Sequence, residues 1–274
     1  DRHGGMDGYQ AAKMRIFQNQ TEKDVAIIGF DDVITQSIAI GLSANGPARV
    51  VQASSTYALG RGVSAVDGRL YDSNSGQAQF VGNLSDCMAL PGRHNHQNAA
   101  AAYAACRALG LDPQTIMDGI RTFPGLAHRL EMVGEIDGVK FVNDSKATNA
   151  EAAEQALKAY KKAYWIAGGV SKAEGIQPLA PLFPNITKAY LIGDSEETFA
   201  ATLKGKVALQ TCGTLENAVQ AAFRDAKVVG DENPVILLSP ACASFDQFRD
   251  FEHRGDVFRS IVQSMMPQEL KELA

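Results

Sequence analysis

From Leu130 onward the sequence alternates between short β-rich apolar runs and stretches of helical composition, an order that few folds accept. The apolar runs place strands at residues 130–136, 139–142, 163–167, 189–192, 207–210 and 235–238. Helices are expected between them at 150–160, 196–203 and 215–226, with a last one over 246–265. Strand and helix in turn build an α/β fold: a Rossmann-like, mostly parallel sheet with helices on both faces. Asp137-Gly138 joins the first two strands as a tight turn, which makes one edge strand antiparallel.

Open sheets of this kind bind ligands outside the carboxyl ends of their strands. Three of those ends carry polar loops. Asn143-Asp144-Ser145-Lys146-Ala147-Thr148-Asn149 follows one strand, Gly168-Gly169-Val170-Ser171-Lys172 a second, and Ser239-Pro240-Ala241-Cys242-Ala243-Ser244-Phe245-Asp246 a third. Thr148 with Glu151 matches the S/T-x-x-E capping box, so the helix is expected to start at Thr148 and aim its free N–H groups at an anion. Lys146 adds a mobile positive charge and Asp144 a carboxylate. Gly168-Gly169 permits close backbone approach, and Ser244 is expected just before the last helix. Each loop alone reads equally well as a capped turn with solvated side chains. Together, two lysines and a helix terminus at one crevice suit an anionic guest, such as a dicarboxylic amino acid beside a nucleotide.

The earlier part of the chain is organised differently. A helix is expected over 8–19, and strands over 25–30, 48–53, 64–71 and 79–81, the third folded back at Asp67-Gly68 as an antiparallel hairpin near a sheet edge. Gly92-Arg93-His94-Asn95-His96-Gln97-Asn98 heads an Ala-rich helix over 99–109, with Asn95 and Asn98 on one face of its first turn. Those amides suit a base or a phosphate ester, or simply a cap; His94 and His96 are no metal site by themselves. Asp112-Pro113 opens a short helix over 112–122, and Phe123-Pro124-Gly125 ends it. A domain boundary is expected there, dividing the chain into 1–124 and 125–274.

A length of 274 residues leaves room for two such domains, each with a core. The formal net charge of -5 argues against a nucleic-acid or membrane-surface partner. Cys87, Cys106, Cys212 and Cys242 are scattered without C-x-x-C spacing and read as thiols of a reducing compartment. No apolar run is long enough to span a bilayer, and a cytoplasmic location with no membrane insertion is expected. The chain opens at Asp1 without a methionine and looks cut from something longer.

Several of these stretches carry a family resemblance. Tyr9-Gln10-Ala11-Ala12-Lys13-Met14-Arg15-Ile16-Phe17, the 92–99 segment, His128-Arg129, the 143–149 loop, the loop ending in Lys172 and the segment from Ser239 to Phe251 together resemble the Mur ligases. The 143–149 and 239–248 pieces are similar to the branch that adds D-glutamate, and the resemblance covers essentially all of the chain. It implies an ATP-dependent amide ligase: ATP phosphorylates the carboxylate of UDP-N-acetylmuramoyl-L-alanine, and the amine of D-glutamate attacks the acyl phosphate. Phosphoryl transfer is mostly positioning and charge neutralisation, which lysines, arginine and Mg2+ can supply.

Carried over by position, the resemblance implies that Asn95, Asn98, His128, Arg129 and Asp144 lie around ATP, Asp144 at the ribose. Lys146 would sit near the reacting phosphate, and Thr148, Lys172, Ser244, Phe245 and Phe251 would form the D-glutamate pocket. Lys13 matches a lysine that the family carries as a carbamate ligand of Mg2+, although by itself it reads as a solvated helix lysine. A monomer is expected. The family's G-x-x-x-x-G-K-[ST] phosphate loop and UDP-binding domain do not occur in these residues, so the 274-residue chain alone is expected to be inactive. His3 is not assigned as the family's metal-binding histidine, and Val170-Ser171 stands where many relatives have Asp-Gly. A non-catalytic nucleotide- or amino-acid-binding module remains the alternative, as does a sister ligase adding another amino acid. The diaminopimelate-adding enzyme would carry an Asn-Pro-Arg loop in the last domain, and none occurs here.

Overall fold

Two folding units, Asp1–Phe123 and Pro124–Ala274, meet where Pro124 and Gly125 follow a short helix. The computed structural model describes residues 4–87, 89–229 and 233–266, so His3 lies outside the described residues.

The first unit begins with α1 (Met6–Met14), which tightens into a 3-10 turn at Arg15–Phe17. β1 (Val25–Gly29), α2 (Val33–Asn45) and β2 (Arg49–Ser54) follow. Then come β3 (Val63–Val66), β4 (Arg69–Asp72), β5 (Gln79–Asn83), α3 (Arg93–Ala108) and α4 (Pro113–Arg121). The strands form one sheet in the order β1-β2-β3-β4-β5, parallel as far as β3 and antiparallel beyond it. Asp67 and Gly68 both take positive φ, 50° and 74°, the turn that a two-residue hairpin requires. α3 and α4 bury Tyr103, Ala104, Ile116 and Met117 against Val51, Ala53, Val63, Ala65 and Leu70 of the sheet.

α2 was not expected from the sequence. Asp32, just beyond the expected strand over 25–30, is its N-cap and accepts the Ile34 and Thr35 N–H groups. Its β-branched residues hid the helix, and Ala39 alone in it is buried.

The second unit runs through β6 (Glu131–Ile136), β7 (Val139–Asn143), α5 (Ala150–Ala159) and β8 (Ala163–Gly168). A 3-10 segment at Gln177–Asn185 leads to β9 (Ile186–Ile192), α6 (Glu196–Leu203) and β10 (Ala208–Gly213). α7 (Leu215–Val229), β11 (Val235–Leu238) and α8 (Phe251–Met265) complete it. The sheet order is β10-β9-β8-β11-β7-β6, with every pair parallel except β6 on β7. Alternate side chains feed two cores. Trp165, Leu191 and Leu237 pack with Ala153, Leu157, Phe199 and Leu203 on one face. Tyr164, Ile166 and Ile236 pack with Ala218, Ala222, Phe258 and Val262 on the other. The expected mostly parallel sheet, covered on both faces and edged by one antiparallel strand, is therefore the fold found.

Two local expectations are corrected. Asn149, not Thr148, caps α5, its Oδ1 accepting the Ala152 N–H at 2.8 Å. The last helix starts at Phe251 under an Asp250 cap, because the segment from Ser244 first closes a separate turn in which the Ser244 carbonyl accepts the Phe248 N–H at 2.8 Å. Ser244 is thus not at that helix's amino terminus.

Candidate functional site

β11 lies between β7 and β8, and the helices that follow β7 and β11 leave on opposite faces of the sheet. A crevice outside the carboxyl ends of those strands is the expected consequence, since no helix crosses there. The three loops at this edge are tied to one another by backbone. The Asp144 N–H donates to the Leu238 carbonyl at 2.7 Å, and the Gly168 N–H to the Pro240 carbonyl at 2.9 Å. Val170 and Ala243 exchange both of their backbone bonds. Gly169 takes φ 122°, and a Cβ there would run into the Ala243 carbonyl, so the close approach of these loops requires glycine.

Asp144 is buried beneath this edge. Its carboxylate accepts from the Ser239 hydroxyl at 2.8 Å and from the Leu130 N–H at 3.3 Å. Burial pushes its carboxyl up to about 7, against the opposing pull of those bonds and of the Arg129 charge. The Arg129 side chain itself is exposed.

Lys146 is half-buried, and its ammonium lies 3.8 Å from the centroid of the Phe251 ring. The Phe251 ring in turn meets the His128 imidazole edge-on, with centroids 6.1 Å apart. His128 is buried at φ 63°, and its carbonyl accepts the Lys146 N–H at 3.0 Å. The Asn143 amide lies 3.1 Å from His128 Nδ1. Asn143 Oδ1 accepts the Ser145 N–H, so its amino group faces Nδ1 and also reaches the Glu131 carboxylate at 3.1 Å and the Gly255 carbonyl at 3.2 Å, while His128 Nε2 lies 3.7 Å from Asp256. The imidazole expected near ATP thus also ties together the loops on either side of it.

The other residues singled out from the sequence divide by location. Thr148 is half-buried in the loop after β7, Ser244 is buried after β11, and Phe245 beside it is 73% exposed. Lys172 is exposed and lines a cleft of about 250 Å³ with Asn149, Glu151, Glu154 and Glu174, at the amino end of α5. Lys13, Asn95 and Asn98 belong to the first unit. Lys13 lies 5.3 Å from the Tyr9 ring centroid and lines a cleft of about 420 Å³ with Ile27, Ile28 and Gly29. Asn95 donates to the Pro91 carbonyl at 2.8 Å, and Asn98 borders an apolar cavity of about 380 Å³ between α3 and α4.

Sequence reading missed Arg254. Its side chain is 1% exposed and stitches two loops together. Nε donates to the Ser145 hydroxyl at 2.9 Å, and Nη2 to the Ser145 carbonyl at 2.9 Å and the Cys242 carbonyl at 3.0 Å. Nη1 has no partner among the described residues. Burial pulls the guanidinium down to about 10, opposed by Cys242 and Asp246. The signal was in the spacing: Arg254 stands with Phe258 and Val262 at i, i+4, i+8, a charge in the apolar stripe of α8.

The fold and the site define an α/β protein with a mostly parallel sheet, whose loops gather a cation, a buried carboxylate and a buried arginine at one edge. The comparisons give that class its family. Residues 1–106 match the Mur ligase middle domain, and residues 128–242 the Mur ligase glutamate ligase domain. The chain belongs to the Mur ligase family. It is 56% identical over 265 residues to the UDP-N-acetylmuramoylalanine–D-glutamate ligase of Caulobacter vibrioides, covering 97% of this chain and 56% of that protein. The ligase of the same name from Rhodospirillum rubrum is 52% identical over 269 residues, covering 96% of this chain and 55% of that protein. The chain therefore spans about half the length of the curated relatives it matches. Among solved structures, MurF from Acinetobacter baumannii aligns with TM-score 0.64 at 17% identity, over 95% of this chain and 56% of that one. FolC from E. coli in complex with ADP aligns with TM-score 0.55 at 21% identity, over 84% and 51%. At such identities these two show the fold.

Proposed function

We propose that residues 1–274 are part of an ATP-dependent ligase that adds D-glutamate to UDP-N-acetylmuramoyl-L-alanine in peptidoglycan precursor synthesis. The observation that carries this reading is the 56% identity, along 97% of the chain, to a D-glutamate ligase. In the proposed reaction the acyl carboxylate attacks the γ-phosphorus of ATP and ADP leaves. The D-glutamate amine then attacks the acyl carbon, phosphate departs, and the amine gives up a proton. The chain's share of this is placement and charge. Lys146 would neutralise the oxygens of the transferred phosphoryl group. Asn95, Asn98, Arg129 and Asp144 would hold ATP, with His128 fixing the loop beside it. Thr148, Lys172, Ser244 and Phe245 would receive D-glutamate, Lys172 pairing with a carboxylate, and the backbone of the Phe251 segment would border that pocket. The described residues contain no group of three or more His, Cys, Asp or Glu able to hold a metal. Mg2+ would arrive on ATP, where it would offset the charge of the phosphate oxygens and keep several of its waters, with a carbamylated Lys13 as the proposed protein ligand. We place the enzyme in the cytoplasm as a monomer.

The test is ADP release by the full-length protein with UDP-N-acetylmuramoyl-L-alanine and each of several amino acids. Turnover should require D-glutamate; equal turnover with another amino acid would overturn the assignment. A polypeptide of residues 1–274 alone should release no ADP. In the full-length enzyme, Lys172→Ala should weaken apparent affinity for D-glutamate by about 1.5–3 kcal/mol, the worth of a charge-assisted bond. ATP affinity should hardly change, and an unaltered D-glutamate affinity would remove Lys172 from the pocket.

A further inference from the structure

The resemblance assigns the Phe251 segment to the amino-acid pocket, yet the face of the Phe251 ring carries the Lys146 ammonium. The ammonium stands 3.8 Å from the ring centroid, inside the range where the negative face of an aromatic ring attracts a cation. Among the described residues Lys146 has no carboxylate partner within salt-bridge distance, so nothing acidic competes for it.

The ring is held where it is by everything around it. The His128 imidazole meets it edge-on at an interplanar angle of 82°. The Phe251 carbonyl accepts the Ser145 hydroxyl at 2.8 Å, and Arg254, one turn further along α8, donates to both the hydroxyl and the carbonyl of Ser145. Ser145 is the residue before Lys146, and the Lys146 N–H is fixed on the His128 carbonyl at 3.0 Å. Backbone and side chain of Lys146 are thus both anchored to one small assembly: His128, Ser145, and the first turn of α8.

We propose that Phe251 is a positioning residue for Lys146: its ring is a cation–π seat that holds the ammonium at the crevice. An ammonium has three N–H donors, and a ring on one side leaves donors on the other for anionic oxygens. The seat restrains the lysine without neutralising it, as a carboxylate would. It spares Lys146 part of the ordering cost that a free four-carbon side chain would meet in the transition state.

This inference rests on the proposed role of Lys146 at the reacting phosphoryl group, and the experiment separates the two. In the full-length ligase, phenylalanine at position 251 is replaced by its mono-, di- and trifluorinated analogues, which keep the ring's shape while draining its face of charge. The seat predicts a stepwise fall in kcat, about 2- to 30-fold across the series, the range of a cation–π contact. The KM for D-glutamate and the thermal midpoint should stay near the parent's. Phe251→Leu, apolar but without a π face, should lose at least as much kcat. A kcat that is flat across the fluorine series overturns the seat. A KM for D-glutamate that climbs while kcat holds also overturns it, since the ring would then be touching substrate. Lys146→Met that keeps the parent kcat would instead remove Lys146 from the chemistry, and the seat with it, whatever the fluorine series shows.

Discussion

Asp144 carries a conflict that pH can expose. Its carboxyl, buried under the loop edge, titrates near 7 when folded, against a reference value of 3.8. A folded form that keeps a proton the unfolded chain has released is stabilised at low pH and loses that stability as pH rises through about 7. Thermal midpoints measured from pH 4 to pH 8 should therefore show a downward slope that Asp144→Asn removes. Identical slopes in the two proteins would mean that Asp144 is ionised in the fold throughout. Arg254 poses the opposite kind of question. A guanidinium this deep usually has an acidic partner, and here backbone carbonyls and a serine hydroxyl take that part.

At the scale of elements, the α5 cap distinguishes two readings of the same loop. Asn149→Ala removes the acceptor of the Ala152 N–H and should cost about 1 kcal/mol of stability in denaturant titration. Thr148→Ala should cost clearly less, and the reverse order would restore Thr148 as the cap. The capping box drew attention to the right loop but was one residue out, because a serine or threonine pattern ignores a neighbouring asparagine that caps as well. The strands of the second unit were legible because their apolar runs are short, β-rich and closed by glycine or polar residues. α8 was placed too early for a different reason: Asp246 and Gln247 have helical composition, but their backbone is drawn into the Ser244 turn. Lys146 could be singled out from its loop, whereas its partner Phe251 lies more than a hundred positions away. Only the parallel pairing of β7 with β11 brings α8 beside that loop.

On the scale of the whole molecule, the second unit has what an independent domain needs: a sheet with a core on either face and its own closing helices. Residues 124–274 expressed alone should unfold in urea as a single cooperative transition with coincident fluorescence and circular-dichroism midpoints. A broad, probe-dependent transition would show that the unit depends on the rest of the chain. Trp165, fully buried between the strands and α5, is the natural reporter because this unit holds the chain's one tryptophan.

One guanidinium grips Ser145 after β7 and Cys242 after β11 while belonging to neither loop. α8 is therefore a lever with both loops on its short arm. Any tilt of that helix hauls the amine-bearing segment and the serine-bearing segment the same way at the same moment, so the two sides of the crevice cannot drift out of step.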